Sequence, residues 1–253
     1  MYYRTYLTQD GMTRLFGITQ GSISTNISKT SPVIRECLPL PQKLYKQAGK
    51  ATALEEIDEL FPGLIALTDA TEQPILQPKR ADMEKPHYSS GKAKTHTVKV
   101  QYAMSSDGLI IHKTAHSPGR TNDFKIYKMK HPTLPGNLQH KDKKGKKNQK
   151  YDRDCLLHYG DTAYSAMGTV VLEICYTAPF RRQPGKDLTP EQRTFNREHS
   201  RVRIRVENGI RRTKIFRIMK ERYRNRLHKY DRINDIVCGV VNQAILMKRA
   251  GTL

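Results

Sequence analysis

The segment that most limits what this chain can fold into is "KTHTVKVQYAMSSDGLIIHKTAH", residues 94–116. Two runs of alternating apolar and polar residues flank the turn-forming quartet "SSDG", which specifies an antiparallel hairpin with one face buried. Two further apolar runs, "LIALTDAT" from Leu64 and "CLLHYGD" from Cys155, read as central strands. A helix is expected from Asn122, a short helix near "SAMGTVVLEI", a strand at "CYTAPF" and a long helix opened by "LTPEQR". A last helix from Asp231 places Ile233, Ile236, Val237, Val240, Ala244 and Ile245 on one stripe. Strands followed by helices imply a mixed sheet flanked by helices in one α/β domain.

Upstream, residues 8–36 read as two short helices: Gly17 ends the first, Thr19 caps the second, and Ile23 and Ile27 share a face. Helices around a glycine turn suggest a helix-turn-helix, a pattern that ordinary helical hairpins also produce. The charge balance narrows the partners. With 45 Lys and Arg against 24 Asp and Glu, the formal net charge of +21 favours a polyanion.

Cys37, Cys155, Cys175 and Cys238 are dispersed without CxxC spacing and are expected to be reduced, as in a cytosolic or nuclear protein. No apolar run approaches the roughly 20 residues that span a bilayer. The start "MYYRTYLTQD" has no signal-peptide core, so neither membrane insertion nor secretion is expected. His112 and His116 fall on a strand pattern and are read as structural rather than as zinc ligands.

The acids are the most informative polar residues. Asp69 and Asp161 each end an apolar run, and would stand side by side if those strands pair. Each alone also reads as a turn residue. Two neighbouring carboxylates repel unless a cation neutralises them, and hard oxygen ligands suit Mg²⁺ or Mn²⁺. A third acid stands among bases in "RVRIRVENGIRRTK". Arg201 to Val206 alternate as in a strand, but the length of the element favours a helix from about Pro190 toward Phe216. That helix puts Val202, Val206 and Ile210 on one stripe, with Arg203, Glu207 and Lys214 on its edge. Ile204 falls off the stripe, and Gly209 costs roughly 1 kcal/mol relative to Ala.

Six blocks, "LIALTDAT", "YSSGKAKTHTVKVQ", "SPGRTNDFKIYK", "YGDTAY", "LTPEQRTFNREHSRVRIRVENGIRRTKIFRI" and "ERYRNR", resemble, in order, those of DDE transposases of insertion sequences related to the eukaryotic PIF/Harbinger group. The resemblance covers roughly residues 64–246. It implies an RNase H-like fold whose three carboxylates, matched here by Asp69, Asp161 and Glu207, bind two divalent ions. Asp123 matches a further acidic position expected near that site; its alternative reading is an N-terminal charge on the following helix. Arg203 and Lys214 match basic residues of the last carboxylate block. Together with Arg211, Arg222 and Arg224 they are expected to contact DNA, while the Lys-rich loop at 141–150 either touches DNA or is simply solvated.

The implied organisation is a helix-turn-helix segment over residues 1–45, a linker helix over 46–63 and a catalytic domain over 64–253. The implied activity is metal-dependent cleavage and strand transfer at transposon ends. Its partners would be terminal inverted repeats and target DNA, bound by at least a dimer. The setting would be the nucleoid of a bacterium or the nucleus of a eukaryote. The competing reading is a transposase-derived DNA-binding protein that no longer cuts. Asn122, Ala163 and Ser200 stand where relatives usually carry His, Gly and Tyr, and none of these removes a carboxylate. Met1 falls so close to the helix-turn-helix that its usual first helix is expected to be missing.

Overall fold

The computed structural model describes residues 1–48, 66–77, 88–130, 157–159 and 175–251. The expected hairpin is its centre. Strands β2 (Thr97–Met104) and β3 (Ile110–Lys113) flank a turn closed by Gly108 N–H donating to the Ser105 carbonyl at 2.9 Å. Gly108 sits at φ 91°, a conformation that L side chains rarely adopt. Strand β1 (Ala66–Pro74) pairs antiparallel with the other edge of β2, setting Asp69 opposite Tyr102 and Glu72 opposite Lys99. The short β4 (Ser117–Pro118) also pairs with β2. Strand β5 (Leu157–Tyr159) runs parallel to β1, and β6 (Cys175–Thr177) parallel to β5. The order β3-β2-β1-β5-β6 is a mixed sheet, as the strand patterns require.

Strand alternation gives the sheet two different faces. Val98, Val100, Tyr102 and Met104 face the main core, shared with Val206 and Ile210 of α6 (Pro190–Lys214) and with Ile233, Val237 and Val241 of α8 (Tyr230–Arg249). The other face meets α5 (Asp123–Lys130), where Gln101 Nε2 donates to the Asp123 carbonyl. Asn122 caps α5 by accepting from Phe124 N–H at 2.9 Å.

Helix α6 resolves the ambiguity of residues 201–206 in favour of helix. A capping box formed by Thr189 and Gln192 starts it. Val206 and Ile210 are buried and Val202 packs against them, whereas Ile204 is 52% exposed, so the 3.6-residue period overrides the local alternation. Gly209 marks a close approach: a Cβ there would lie 2.2 Å from Met104 Sδ.

At the N-terminus, the one-turn helix α1 (Tyr2–Thr5) precedes α2 (Gln9–Phe16), which ends on Gly17 at φ 65°. Helix α3 (Gln20–Cys37) is capped by Thr19, whose side chain accepts from Ser22 N–H at 3.2 Å. Helix α4 (Pro41–Ala48) runs across the expected boundary at residue 45, and the rest of the expected linker lies outside the described residues. These helices are built into the fold. Tyr2 donates to Asn225 Oδ1 at 2.9 Å, Arg224 lies over the Tyr6 ring at 4.1 Å, and Tyr6 is buried. On α8, the Asp235 carboxylate gathers Arg35 of α3 at 3.2 Å, Gln42 of α4 at 2.9 Å and Lys113 of β3 at 2.9 Å.

The α8 stripe buries Ile233, Ile236 and Val237, while Ala244 is exposed toward the C-terminal end. The His112 ring lies 5.3 Å from that of Tyr45, tilted to it at 58°, and His116 Nδ1 sits 2.8 Å from Asp231. Cys37 and Cys238 are free thiols. The expected short helix near residue 165 and the Lys-rich loop lie outside the described residues. Among the described residues, no helix is long and apolar enough to cross a membrane.

Candidate active site

A cleft of about 520 Å³ opens between β1 and the C-terminal half of α6. Asp69, Ala70 and Thr71 form its β1 side; Glu207, Ile210, Arg211 and Lys214 form its α6 side, with Lys220 of α7 (Arg217–Lys220) at the rim. Asp69 reaches it because strand parity points Asp69, like its partner Tyr102, at the face that α6 covers. The Asp69 carboxylate accepts Ala70 N–H at 2.8 Å, which limits its swing. Glu207 reaches the cleft from one edge of α6, with its side chain 59% exposed and Arg203 Nη2 3.8 Å from Oε1.

Lys214 feels the charge of Asp69. Burial pulls its amine below the ordinary lysine value, the Asp69 charge opposes that shift, and Lys92 adds to it. The cleft thus holds two carboxylates beside Lys214, Arg211 and Lys220, a layout able to accept a cation between the acids and an anion beside the bases. Both carboxylates offer the hard oxygen donors that a divalent cation takes. Among the described residues, no group of three or more His, Cys, Asp or Glu side chains is arranged so that it could hold a metal ion.

The β1–β5 pairing bears on the expected third acid. It sets Leu67 opposite Tyr159, and in the sequence Asp69 and Asp161 each stand two residues further on. Asp161 itself lies outside the described residues.

Asp123 is not brought into this cleft. Its carboxylate sits 3.0 Å from Lys99 Nζ, and Lys99 also lies 3.4 Å from Glu72. Lys99 and Glu72 face the α5 side of the sheet, opposite to the face carrying Asp69. Asp123 instead occupies the first turn of α5, in keeping with its alternative reading as an N-terminal helix charge.

Of the expected DNA contacts, Arg211 and Lys214 line the cleft, and Arg203 flanks it through Glu207. Arg222 is exposed. Arg224 is engaged with Tyr6, to whose carbonyl its guanidinium donates. Tyr223 is buried edge-on against Tyr230 at 5.0 Å, a packing role. Sequence reading passed over Thr71 and Lys220. Thr71 could have been found two residues after Asp69 on the same strand face; Lys220 carries no local signal among so many bases.

Over 247 residues, 98% of this chain and 78% of the relative, the sequence is 26% identical to a protein named "Probable transposase for insertion sequence element IS702" from Microchaete diplosiphon. No solved structure is significantly similar. The family model described as DDE superfamily endonuclease matches residues 68–242, a span running from the strand that carries Asp69 through the helix that carries Glu207, and the chain belongs to that family.

Proposed function

We propose that the protein is a transposase that cuts DNA at the ends of its own element and joins those ends to a target. The observation that carries this reading is the placement of Asp69 and Glu207 across one cleft from each other, with bases beside them. Asp161 is the third carboxylate on this reading, because it stands two residues after Tyr159 in the sequence as Asp69 stands two after its partner Leu67. On this reading the sheet and α6 form an RNase H-like core, and α2 and α3 form a helix-turn-helix that reads the terminal repeats.

Asp69, Asp161 and Glu207 would hold divalent metal, Mg²⁺ or Mn²⁺, with two ions as the expected number. When bound, such ions activate the attacking oxygen of water or a 3′ hydroxyl and stabilise the leaving one. The chain's own side chains do the rest. Asp69 is restrained by Ala70 N–H, and Arg203 lies 3.8 Å from Glu207 Oε1 as a neighbouring positive charge. Lys214 and Arg211 present positive charge to the phosphate oxygens, and the partial burial of Lys214 strengthens its share of that attraction. Because transposition joins two ends, the working form is at least a dimer on DNA.

The test is strand cleavage of DNA carrying the gene's flanking terminal repeats, in Mg²⁺ or Mn²⁺, comparing the parent with Asp161→Asn. Cutting that is lost in the variant while binding persists supports the enzyme. Equal cutting removes Asp161 from the mechanism. Binding without cutting by the parent in both metals replaces this reading with a transposase-derived DNA-binding protein.

A further inference from the structure

We propose that the outer ridge of α6, Arg193, Arg197 and Arg201 leading through Ile204 and Asn208 to Arg211, is a track for the backbone of duplex DNA entering the cleft. These six positions are spaced by three or four residues and therefore form one row along the helix. All six are exposed, on the side away from buried His199, Val206 and Ile210. The row ends in the cleft, because Arg211 lines it. It is about 27 Å long at 1.5 Å per residue. At 3.4 Å per base pair, that is the length of about eight base pairs.

A solvated charged helix ordinarily interleaves acids and bases so that they pair. Here the row contains no acid, and the one ion pair that α6 makes among the described residues, Arg203 with Glu207, lies at the edge rather than on the row. Arg193 with Arg197 and Arg197 with Arg201 are like charges four residues apart, a spacing that works against the helix. An unpaired row of fork-shaped cations that folding does not favour, aimed at a nuclease cleft, suits a polyanion of regular phosphate spacing. The inference rests on DNA being the substrate, and adds where the duplex lies outside the cleft.

The experiment measures equilibrium binding to a random-sequence duplex of about 30 base pairs, longer than the row, across a salt series. Three triple variants are compared with the parent: Arg193, Arg197 and Arg201 all to Ala; the same three to Lys; and Arg120, Lys125 and Lys128 to Ala. The last removes equal charge from exposed positions around α5. The ridge Ala variant is expected to lower the slope of log affinity against log salt by about 2.7, three phosphate contacts' worth. The Lys variant should retain the slope, and the α5 variant should change it much less. An unchanged slope in the ridge variant, an equal loss in the α5 variant, or no duplex binding by the parent overturns the track. Cleavage of the terminal repeats is scored separately. A parent that binds with the expected slopes but never cuts defeats the transposase reading and leaves the ridge in place.

Discussion

Glu207 is acidic on a helix edge otherwise made of bases, and its side chain contributes nothing to the core, being 59% exposed. Its removal should therefore separate chemistry from stability. Glu207→Gln is expected to leave the melting temperature and DNA affinity near the parent's while cutting strand cleavage by at least 10²-fold, about 2.7 kcal/mol of barrier. A variant that still cuts at the parent's rate would remove Glu207 from the site. Gly209 makes the opposite case, a residue whose role is packing. Gly209→Ala should gain up to about 1 kcal/mol of helix propensity. It must then place a methyl 2.2 Å from Met104 Sδ in a fully buried position, and overpacking of this kind costs about 1–3 kcal/mol. The expected net outcome is a lower melting temperature, and an unchanged or raised one would show that Met104 yields freely. The sequence displayed the cost of Gly209 but not its compensation, because the contact joins Gly209 to Met104, far away along the chain.

At the scale of elements, what was legible followed from period and punctuation. The alternating runs around "SSDG" specify β2 and β3, and Thr189, Pro190 and Gln192 announce the start of α6. What was not legible depended on register between distant strands. The place of Asp123 depended on the face of Lys99: the pairing of Glu72 with Lys99 puts both on the α5 side, and Asp123 lies 3.0 Å from Lys99 there. Element junctions also carry carboxylates whose ionisation supports the fold. Burial tends to raise Asp107 in the β2–β3 turn and Asp231 at the start of α8. Hydrogen bonds and charge from Ser105 and Arg249, and from His116 and Lys113, outweigh it, so both lie below the usual 3.8. A carboxyl depressed in the folded state contributes stability that is complete above its unfolded value and is lost as pH falls through the folded one. The unfolding midpoint of Asp107→Asn/Asp231→Asn should therefore trail the parent's near neutrality. The gap should close as pH drops below about 4. A gap independent of pH would place the effect in packing instead.

At the scale of the molecule, the N-terminal helices pack directly onto the core that the sheet, α6 and α8 share. Tyr6 is buried with the core residues Tyr223 and Tyr230, and Gly239 of α8 is small because a Cβ there would lie 2.8 Å from Leu38 Cβ. The charged centre of this junction is Asp235, 5% exposed, beside Lys113, 3% exposed, with Arg35 and Gln42 completing it. Each ion alone would be expensive to bury, so the junction is stable only as a set. Asp235→Ala leaves the Lys113 ammonium without its near partner and frees Arg35 and Gln42, and should cost about 3–5 kcal/mol. Replacing both ions, Asp235→Leu with Lys113→Met, should recover much of that loss, because paired apolar side chains avoid the desolvation that ions suffer. Chemical denaturation of the two variants decides it. Equal losses in the single and double variants would mean that the cost lies in the lost contacts to Arg35 and Gln42 rather than in the stranded Lys113 charge. If the recovery is seen, a second measurement follows from the same geometry. Arg35 on α3 has no other carboxylate within ion-pair distance among the described residues, so the double variant should be stable yet hold α3 less firmly against α8. Cleavage should then persist while its position relative to the terminal repeat spreads over neighbouring bonds. Sharp cutting by that variant would show that the aim of the nuclease does not pass through this junction.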